Sequence, residues 1–284
     1  MIKLSALAII FLVLVSTATT AIVPGTYFDR FFFIIFENTN FDAATQNSYL
    51  KSLISRNNSV FLSSYSGIAH PSQPNYISTI YGSTAGITDD GVHDVDGNNL
   101  IDLLEAKGIS WKAYMQDYPG NCFTGAKSGL YVRKHNPFIS MTDISSNSAR
   151  CANIVNADGI DTDLASQEGL PQFSYYVPNL QNDGHDTGLD FAMNWFQPWF
   201  EERLKNPNFA NGTLFFITFD EDETLSNHIF SSLLGTPVTS GTHEDTTQYT
   251  HNSVLKTLID NWNLGSLGRN DVNATAFTQF LQHP

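Results

Sequence analysis

The sequence predicts an α/β fold in which helices cover a largely parallel β-sheet. Two unbroken apolar runs, residues 30–36 and 213–219, are typical of strands buried on both faces of such a sheet. Segments with helical spacing alternate with the predicted strands, as an α/β sandwich requires. Polar clusters follow Phe36, Val177 and Phe219, at the strand ends beyond which ligands bind in these sheets.

The predicted elements follow one another from the first apolar run to the last helix. Strands are predicted at residues 30–36, 60–64, 111–115, 172–177 and 213–219. Helices are predicted from Pro74 to Tyr81, at 99–107 with Gly108 as the stop, at 189–204 with a bend at Pro198, and at 254–262. No repeat or linker interrupts this order, so residues 22–284 are predicted to form a single domain.

Residues 119–169 form a stretch without clear periodicity, rich in polar residues. We interpret it as an insertion that shapes the substrate pocket. The only two cysteines, Cys122 and Cys151, fall within it, and their even number suits one disulfide in an oxidising compartment. Two buried free thiols are the alternative.

Residues 1–21 have the pattern of a signal peptide. Lys3 precedes an apolar run, and small residues then lead to a cleavage site at Ala21. No second apolar stretch is long enough to span a bilayer, so the chain is predicted to be secreted, without stable membrane insertion. Acceptor sequons predict N-linked glycans at Asn57, Asn211 and Asn273.

The chain is acidic, with a formal net charge of −14. Such a surface argues against nucleic acid or an anionic membrane as the main partner. It also repels phosphate, so a site for phosphate would need strong local positive charge, most simply a metal ion.

A candidate nucleophile lies in the segment His-Pro-Ser-Gln-Pro-Asn-Tyr at residues 70–76. With Pro74 at the first helical position, Ser72 would lie at or just before a helix N-terminus, where a bound anion is favoured. The alternative is a surface turn. A Ser–His–Asp triad for carboxyl esters is disfavoured, because no Gly-x-Ser-x-Gly elbow surrounds Ser72.

Hard oxygen ligands end two of the predicted strands: Glu37 and Asn38 follow the first run, and Asp220 and Glu221 follow the last. If these strands are neighbours, the side chains would converge on one divalent cation. Oxygen ligation favours Mg²⁺, Ca²⁺ or Mn²⁺, whereas a histidine ligand would allow Zn²⁺ or Fe. The alternative is that the carboxylates simply face solvent.

A cation beside Ser72 would lower the pKa of the hydroxyl and neutralise charge on a phosphoryl group. His185 and His228 are the candidates to donate to phosphate oxygens or to protonate the leaving group. His135 and the neighbouring Lys134 would supplement them. A phosphorylated small molecule is therefore the predicted substrate.

Six motifs, in their order along the chain, resemble the secreted acid phosphatase and phosphoesterase family related to bacterial phospholipase C, within the alkaline-phosphatase-like fold. They are Glu-Asn at 37–38 with Phe-Asp at 41–42, the segment at 70–76, Asn-Asp-Gly-His-Asp at 182–186, Phe-Asp-Glu-Asp at 219–222, Asn-His at 227–228 and Gln-Tyr-Thr-His at 248–251.

The resemblance implies a three-layer α/β/α sandwich and a phosphoserine intermediate on Ser72. It implies one metal ion, and it implies that histidines face the phosphate. Two departures from the phospholipase branch, Tyr76 and Asp222, match the acid phosphatase branch. The resemblance assigns Glu37, Asn38, Ser72, Asp220 and Glu221 to the metal, and His185, His228 and His135 to the phosphate. We predict that Ser72, His185 and His228 are catalytic and that His135, Lys134 and Asn75 bind the substrate.

The sequence therefore predicts a secreted, glycosylated, metal-dependent phosphomonoesterase working at acidic pH. A phosphodiesterase or phospholipase C is the first alternative, and an open, apolar-rimmed pocket at residues 123–138 would favour it. A non-catalytic secreted glycoprotein that binds phosphorylated ligands is the second.

Overall fold

The computed structural model describes residues 21–165 and 169–283. The signal peptide predicted for residues 1–21 therefore lies, apart from Ala21, outside the described residues. Within those residues no helix has both the length and the apolar character to cross a membrane.

Strands are found along the whole of the described chain. In order they are β1 Arg30–Phe36, β2 Ser59–Leu62, β3 Tyr65–Ser66, β4 Trp111–Met115, β5 Lys127–Ser128, β6 Tyr131–Val132, β7 Ile154–Asn156, β8 Phe173–Val177, β9 Thr213–Phe219, β10 His228–Ile229, β11 Ser231–Leu234, β12 Thr242–Asp245 and β13 Tyr249–Thr250.

Helices of very different length connect these strands. In order they are α1 Phe41–Gln46, α2 Ser48–Ile54, α3 Ser72–Tyr81, α4 Leu100–Ala106, α5 Pro137–Ser140, α6 Thr142–Ser145, α7 Ser148–Cys151, α8 Ile160–Asp163, α9 Leu189–Leu204, α10 Pro207–Ala210 and α11 His251–Trp262. Single 3₁₀ turns lie at Arg133–His135, Ala157–Gly159 and Asn270–Val272.

An eight-stranded sheet forms the centre of the molecule, in the order β12-β2-β11-β9-β1-β8-β4-β7. Its neighbouring strands are parallel except at β11, which runs antiparallel to both β2 and β9. The two long apolar strands, β1 and β9, lie side by side in the middle. The prediction of an α/β fold with a largely parallel sheet is therefore confirmed.

Helices cover both faces of this sheet. Successive side chains of β1 point to opposite faces, as two neighbouring residues show. Phe32 packs against Phe209 of α10, with ring centroids 4.9 Å apart. Phe33, the next residue, packs at 4.7 Å on Tyr175, whose hydroxyl contacts Thr79 of α3. Every residue of β1 and β9 is buried, as expected for central strands of a three-layer sandwich.

The observed bounds differ from the predicted ones in instructive places. β1, β4 and β9 match residue for residue, whereas α3 begins two residues earlier than predicted, so that Pro74 is its third residue. α9 runs through Pro198 as one helix. Gly108 lies just after the end of α4 and has a positive φ of 73°, a conformation that fits its predicted role as the residue that stops the helix.

The region from residue 119 to 169 contains more regular structure than its sequence suggested. It holds the hairpin of β5 and β6, four short helices and β7, which adds an edge strand to the main sheet. The predicted disulfide between Cys122 and Cys151 is confirmed, with Cα atoms 5.6 Å apart. It ties the start of this region to α7.

Candidate active site

Three chain segments meet at the carboxyl ends of the central parallel strands. Glu37 follows β1 and Asp220 follows β9, and because Phe36 pairs with Phe219, the two acidic residues leave the sheet side by side. The Glu37 N–H donates to the Asp183 carbonyl beyond the end of β8, at 2.9 Å. The parallel register therefore brings together residues that are far apart in the sequence.

Ser72 is the first residue of α3, and its side chain is buried. Its hydroxyl donates to Glu221 Oε1 at 3.1 Å. The hydroxyl also lies against Glu37 and favours the charged form of that carboxylate. Because free N–H groups and the helix dipole favour anions at a helix N-terminus, a phosphate bound here would lie beside Ser72.

Asn38 lies between two carboxylates. Its amide oxygen faces Glu37 Oε2 and Glu221 Oε1, each 3.0 Å away. Three oxygens at such distances repel one another, so either the amide turns its nitrogen toward both carboxylates or a cation lies among the three. With its nitrogen turned this way, Asn38 donates to both carboxylates at 3.0 Å and holds them together.

Asp220 and Glu221 are carboxylates whose burial disfavours their charged forms. Burial, followed by the charges of Glu37 and Glu221, raises the pKa of Asp220 well above its ordinary value, and Asp220 Oδ2 has no hydrogen-bond partner in the described structure. Burial also raises the pKa of Glu221, although His70 and Ser72 partly oppose it. A positive charge at this point would stabilise the charged carboxylates.

The donor set fits a hard divalent cation in its chemistry. All the predicted ligands offer oxygen, which Mg²⁺, Ca²⁺ and Mn²⁺ prefer. Within residues 21–165 and 169–283, no three Asp, Glu, His or Cys side chains are by themselves arranged to hold an ion. An ion here would therefore rely on the oxygens of Asn38 and Ser72 as well as on the carboxylates.

Positive side chains reach the site from the 3₁₀ turn Arg133–His135. His135 is buried, with Nε2 2.7 Å from Glu37 Oε1 and its ring stacked on Tyr76 at 4.9 Å. Lys134 Nζ lies 3.5 Å from Glu37 Oε1 and 2.9 Å from Asp90 Oδ2. Burial opposes its charge, but these carboxylates outweigh it and raise the pKa of Lys134. Burial likewise acts to raise the pKa of Glu37, but His135 and Lys134 hold it well below its usual range.

His185 lies at the open side of the site. Its side chain is 48% exposed, and Nδ1 is 3.6 Å from both Glu37 Oε2 and Asp186 Oδ1. Its backbone N–H donates to Asp183 Oδ1, which fixes the turn that carries it. His185 can therefore face both the carboxylates and an incoming substrate.

Asn75, a predicted substrate-binding residue, makes its hydrogen bonds within the loop before α3. It is fully buried, and its amide oxygen accepts hydrogen bonds from the N–H groups of Ile68 and Ala69 at 2.8 and 3.1 Å. Its amide nitrogen donates to the Ala69 carbonyl at 2.8 Å. With its polar atoms used in this way, Asn75 anchors the loop that leads to Ser72.

His228 was predicted to be catalytic, but its contacts lie elsewhere. Its Nε2 contacts the Ser63 carbonyl at 2.9 Å, and its ring stacks on Phe41 with centroids 3.7 Å apart. In the described part of the chain no hydrogen bond or ion pair joins it to the carboxylates around Ser72. The packing of β10 thus places the His228 ring between Ser63 and Phe41.

Two further residues of the quoted motifs, His251 and Asp222, contact the chain around Asp220 and Glu221. His251 Nε2 lies 2.6 Å from the Asp220 carbonyl, and the histidine is fully buried at the start of α11. Asp222 accepts hydrogen bonds from Thr224 and Ser226, so it shapes the loop after β9. Both hold the backbone that carries Asp220 and Glu221.

Three residues of the site were given no role by sequence reasoning. His70 contacts the Glu221 carboxylate through Nδ1. Asp183 is buried near His135, and burial raises the pKa of its carboxyl to about 6. Asp90 contacts Lys134. The first two lie in motifs that the sequence displays, whereas Asp90 has no signal beyond its position in an acidic, glycine-containing loop.

A model of the Phosphoesterase family matches residues 39–265 of this chain. The chain is 38% identical over 266 residues to a probable acid phosphatase from Kluyveromyces lactis, covering 89% of this chain and 62% of that protein. It is 38% identical over 266 residues to an acid phosphatase from Aspergillus fumigatus, covering 89% and 59%. The chain thus spans about three fifths of the length of these curated relatives.

Solved structures of similar fold are distant in sequence. A protein of the alkaline phosphatase superfamily from Vibrio parahaemolyticus superposes with a TM-score of 0.59 at 12% identity, covering 91% of this chain and 74% of that one. The alkaline phosphatase of the Antarctic bacterium TAB5 gives 0.50 at 10%, covering 85% and 100%. These likenesses concern the fold alone.

Proposed function

This chain belongs to the Phosphoesterase family, and from that premise we propose that it is a secreted, metal-dependent acid phosphatase. Its substrate would be a phosphate monoester, and Ser72 would be the nucleophile. One observation carries the proposal: the Ser72 hydroxyl, at the start of α3, donates to Glu221 and also lies against the Glu37 carboxylate. The acid phosphatases named above support the choice of substrate.

The site residues have distinct parts in the proposed reaction. The Ser72 oxygen attacks phosphorus while its proton passes to Glu221, which accepts its hydrogen bond. The bond between phosphorus and the leaving alcohol breaks, and His185 donates a proton to that alcohol. Water then attacks the phosphoserine and gives a proton back to His185. Glu221 returns its proton to Ser72, and inorganic phosphate leaves.

Positive charge at the site is the second requirement of this reaction. Lys134 and His135 lie against Glu37 and would face the phosphoryl oxygens. A divalent ion held by Glu37, Asn38, Ser72, Asp220 and Glu221 would lower the pKa of the hydroxyl and neutralise phosphoryl charge. Oxygen ligands favour Mg²⁺, Ca²⁺ or Mn²⁺ for this place, and Zn²⁺ or Fe would need a histidine ligand.

Secretion and glycosylation belong to the same proposal. The predicted acceptors Asn57, Asn211 and Asn273 are all exposed, as attachment of a glycan requires. The disulfide between Cys122 and Cys151 suits an oxidising compartment.

The phosphodiesterase alternative depends on the shape of residues 123–138. An open pocket with an apolar rim was expected at residues 123–138 if diesters were the substrate. Phe138 instead is fully buried, stacked on Trp111 at 5.5 Å, and Tyr131 is buried against Tyr118 at 5.1 Å. These two rings therefore do not form an open rim, although Leu130 in the same segment is 39% exposed, and the assay below compares the two esters directly.

The test compares hydrolysis of an aryl phosphate monoester with that of the matching diester from pH 4 to 8. Wild-type protein and Ser72→Ala are assayed with and without a chelator. We expect monoester turnover that falls by at least about a thousandfold in Ser72→Ala and is sensitive to chelation.

Each other outcome has a defined meaning. Preference for the diester would move the assignment to phosphodiesterase. Turnover that survives in Ser72→Ala would refute the nucleophile. Wild-type protein that hydrolyses neither ester but binds inorganic phosphate would support the non-catalytic alternative.

A further inference from the structure

Asp90 lies in the loop between α3 and α4 and bridges two groups beside Ser72. One carboxylate oxygen accepts a hydrogen bond from the Gln73 N–H, the second residue of α3, at 2.9 Å. The other accepts a hydrogen bond from Lys134 Nζ, also at 2.9 Å. The Asp90 side chain is 31% exposed, so the groups it holds can be reached from solvent.

These two donors are of the kinds that bind phosphate in proteins. The N–H groups at the start of a helix favour an anion, and a lysine ammonium forms charge-assisted hydrogen bonds with phosphate oxygens. Lys134 lies closer to Asp90, at 2.9 Å, than to Glu37, at 3.5 Å. In the free protein a carboxylate of the chain itself therefore engages both donors.

We propose that Asp90 competes with substrate phosphate for Lys134 and for the Gln73 N–H, and thereby sets the affinity of the site for phosphate. The inference rests on the proposed function, because it requires phosphate to bind beside Ser72. A dianionic phosphate would displace the Asp90 carboxylate from both donors on binding. After hydrolysis the carboxylate would return and favour release of inorganic phosphate.

The other negative charges of the site add to the effect of Asp90 on phosphate affinity. Glu37, Asp220 and Glu221 already lie around Ser72, so Asp90 adds a fourth carboxylate that repels phosphate. A purely structural role is the rival explanation, in which Asp90 only fastens its loop to α3. The two explanations differ in what they predict for phosphate affinity.

The test uses Asp90→Asn and Asp90→Ala in the full chain, with Asp89→Asn as the matched control. Asp89 is adjacent, its side chain is 66% exposed, and it contacts His93 and the Gly91 N–H instead of α3 or Lys134. The control therefore makes the same change in net charge without touching the proposed competition. The probe is inorganic phosphate, measured as a competitive inhibitor of aryl phosphate hydrolysis and by the thermal shift that it produces.

We expect both Asp90 variants to lower the Ki for inorganic phosphate, and the KM for aryl phosphate with it, by roughly three- to tenfold. Asp89→Asn should leave both constants near their wild-type values. The thermal shift at a fixed phosphate concentration should be larger in the Asp90 variants than in wild type.

An unchanged or raised Ki in both Asp90 variants would overturn the proposal in favour of the structural role. An equal fall in Ki for Asp89→Asn would also overturn it, because net charge alone would then explain the result. Failure of the proposed function is separately visible, since wild-type protein would then neither hydrolyse the monoester nor shift its melting temperature with inorganic phosphate.

Discussion

Asp220 is a buried carboxylate in surroundings that disfavour its charge. It is fully buried, Oδ2 has no hydrogen-bond partner in the described structure, and Glu37 and Glu221 lie nearby. The effective cost of an uncompensated buried charge is several kcal/mol, so either a proton or a cation must relieve it. Asp220 thus lowers the stability of the protein when no cation is bound. When a cation binds, Asp220 should add to the stabilisation that the cation provides.

The substitution Asp220→Asn should separate these two effects. In a chelator we expect it to raise the free energy of unfolding by roughly 1–2 kcal/mol, because it removes a buried repulsion at constant volume. Added Mg²⁺ or Mn²⁺ should stabilise wild-type protein but not the variant. Urea unfolding at pH 7, with chelator and with excess metal, measures both quantities.

An exposed carboxylate provides the control for this experiment. Asp89→Asn makes the same chemical change at a side chain that is 66% exposed, and should alter neither the stability nor the response to metal. If Asp220→Asn retained the full stabilisation by metal, Asp220 would not be a ligand.

Sequence reasoning identified the residues of the site better than their orientations. Glu37, Ser72 and Glu221 lie where ordered motifs and strand ends predicted them, because those positions depend on the sheet register. The observed contacts of Asn75 and His228, with the Ala69 carbonyl and with Phe41, were not predicted, since a side chain's direction depends on packing that no local pattern encodes. Asp90 could not be found, because its contact with Lys134 joins two irregular loops.

At the scale of elements, the strands that are buried on both faces were the predictable ones. β1 and β9 read as continuous apolar runs because helices cover them on both sides. β11 and β12 escaped prediction: β11 is a four-residue strand that contains two serines, and β12 is a polar strand at the sheet edge. The antiparallel step at β11 was therefore missed, although the fold class was right.

α11 is joined to the end of β9 through a histidine that must stay neutral. His251 is fully buried, lies 2.6 Å from the Asp220 carbonyl, and has a pKa that burial lowers to about 4. In the unfolded chain the same group titrates near its ordinary value of about 6.5. Between these two values the unfolded state binds more protons, so stability falls as the pH falls.

This linkage predicts a loss of about 3 kcal/mol of unfolding free energy from His251 as the pH falls from about 6.5 to about 4. His251→Gln keeps an N–H donor for the Asp220 carbonyl but cannot be protonated. The variant should therefore show a shallower decline in stability over this range. Urea unfolding of both proteins at pH 7 and pH 4.5 gives the comparison.

Other titrating groups are common to both proteins and cancel in the difference. Parallel decline of wild type and variant would show that His251 does not carry this dependence. If the prediction holds, an enzyme working in acid would operate close to the pH at which this contact weakens.

At the scale of the whole molecule, the net charge opposes the proposed chemistry. The chain has 28 acidic residues against 14 Lys and Arg, and its net charge is −14. A field of this sign repels a phosphate dianion before it reaches Lys134 and His135, whose attraction is local. Affinity for substrate should therefore depend on how far the surface charge is screened.

Salt should accordingly increase the efficiency of this protein. At pH 7, where an aryl phosphate is largely dianionic, we expect kcat/KM to rise a few-fold between ~10 and ~150 mM ionic strength, because the Debye length shortens to about 8 Å. The rise in kcat/KM should come from a lower KM more than from a higher kcat. It should be similar in NaCl and in KCl, which would exclude a specific ion effect. Activity that falls steadily with salt would instead show that the positive charge of the site dominates the encounter, and that the acidic surface lies too far from the site to matter.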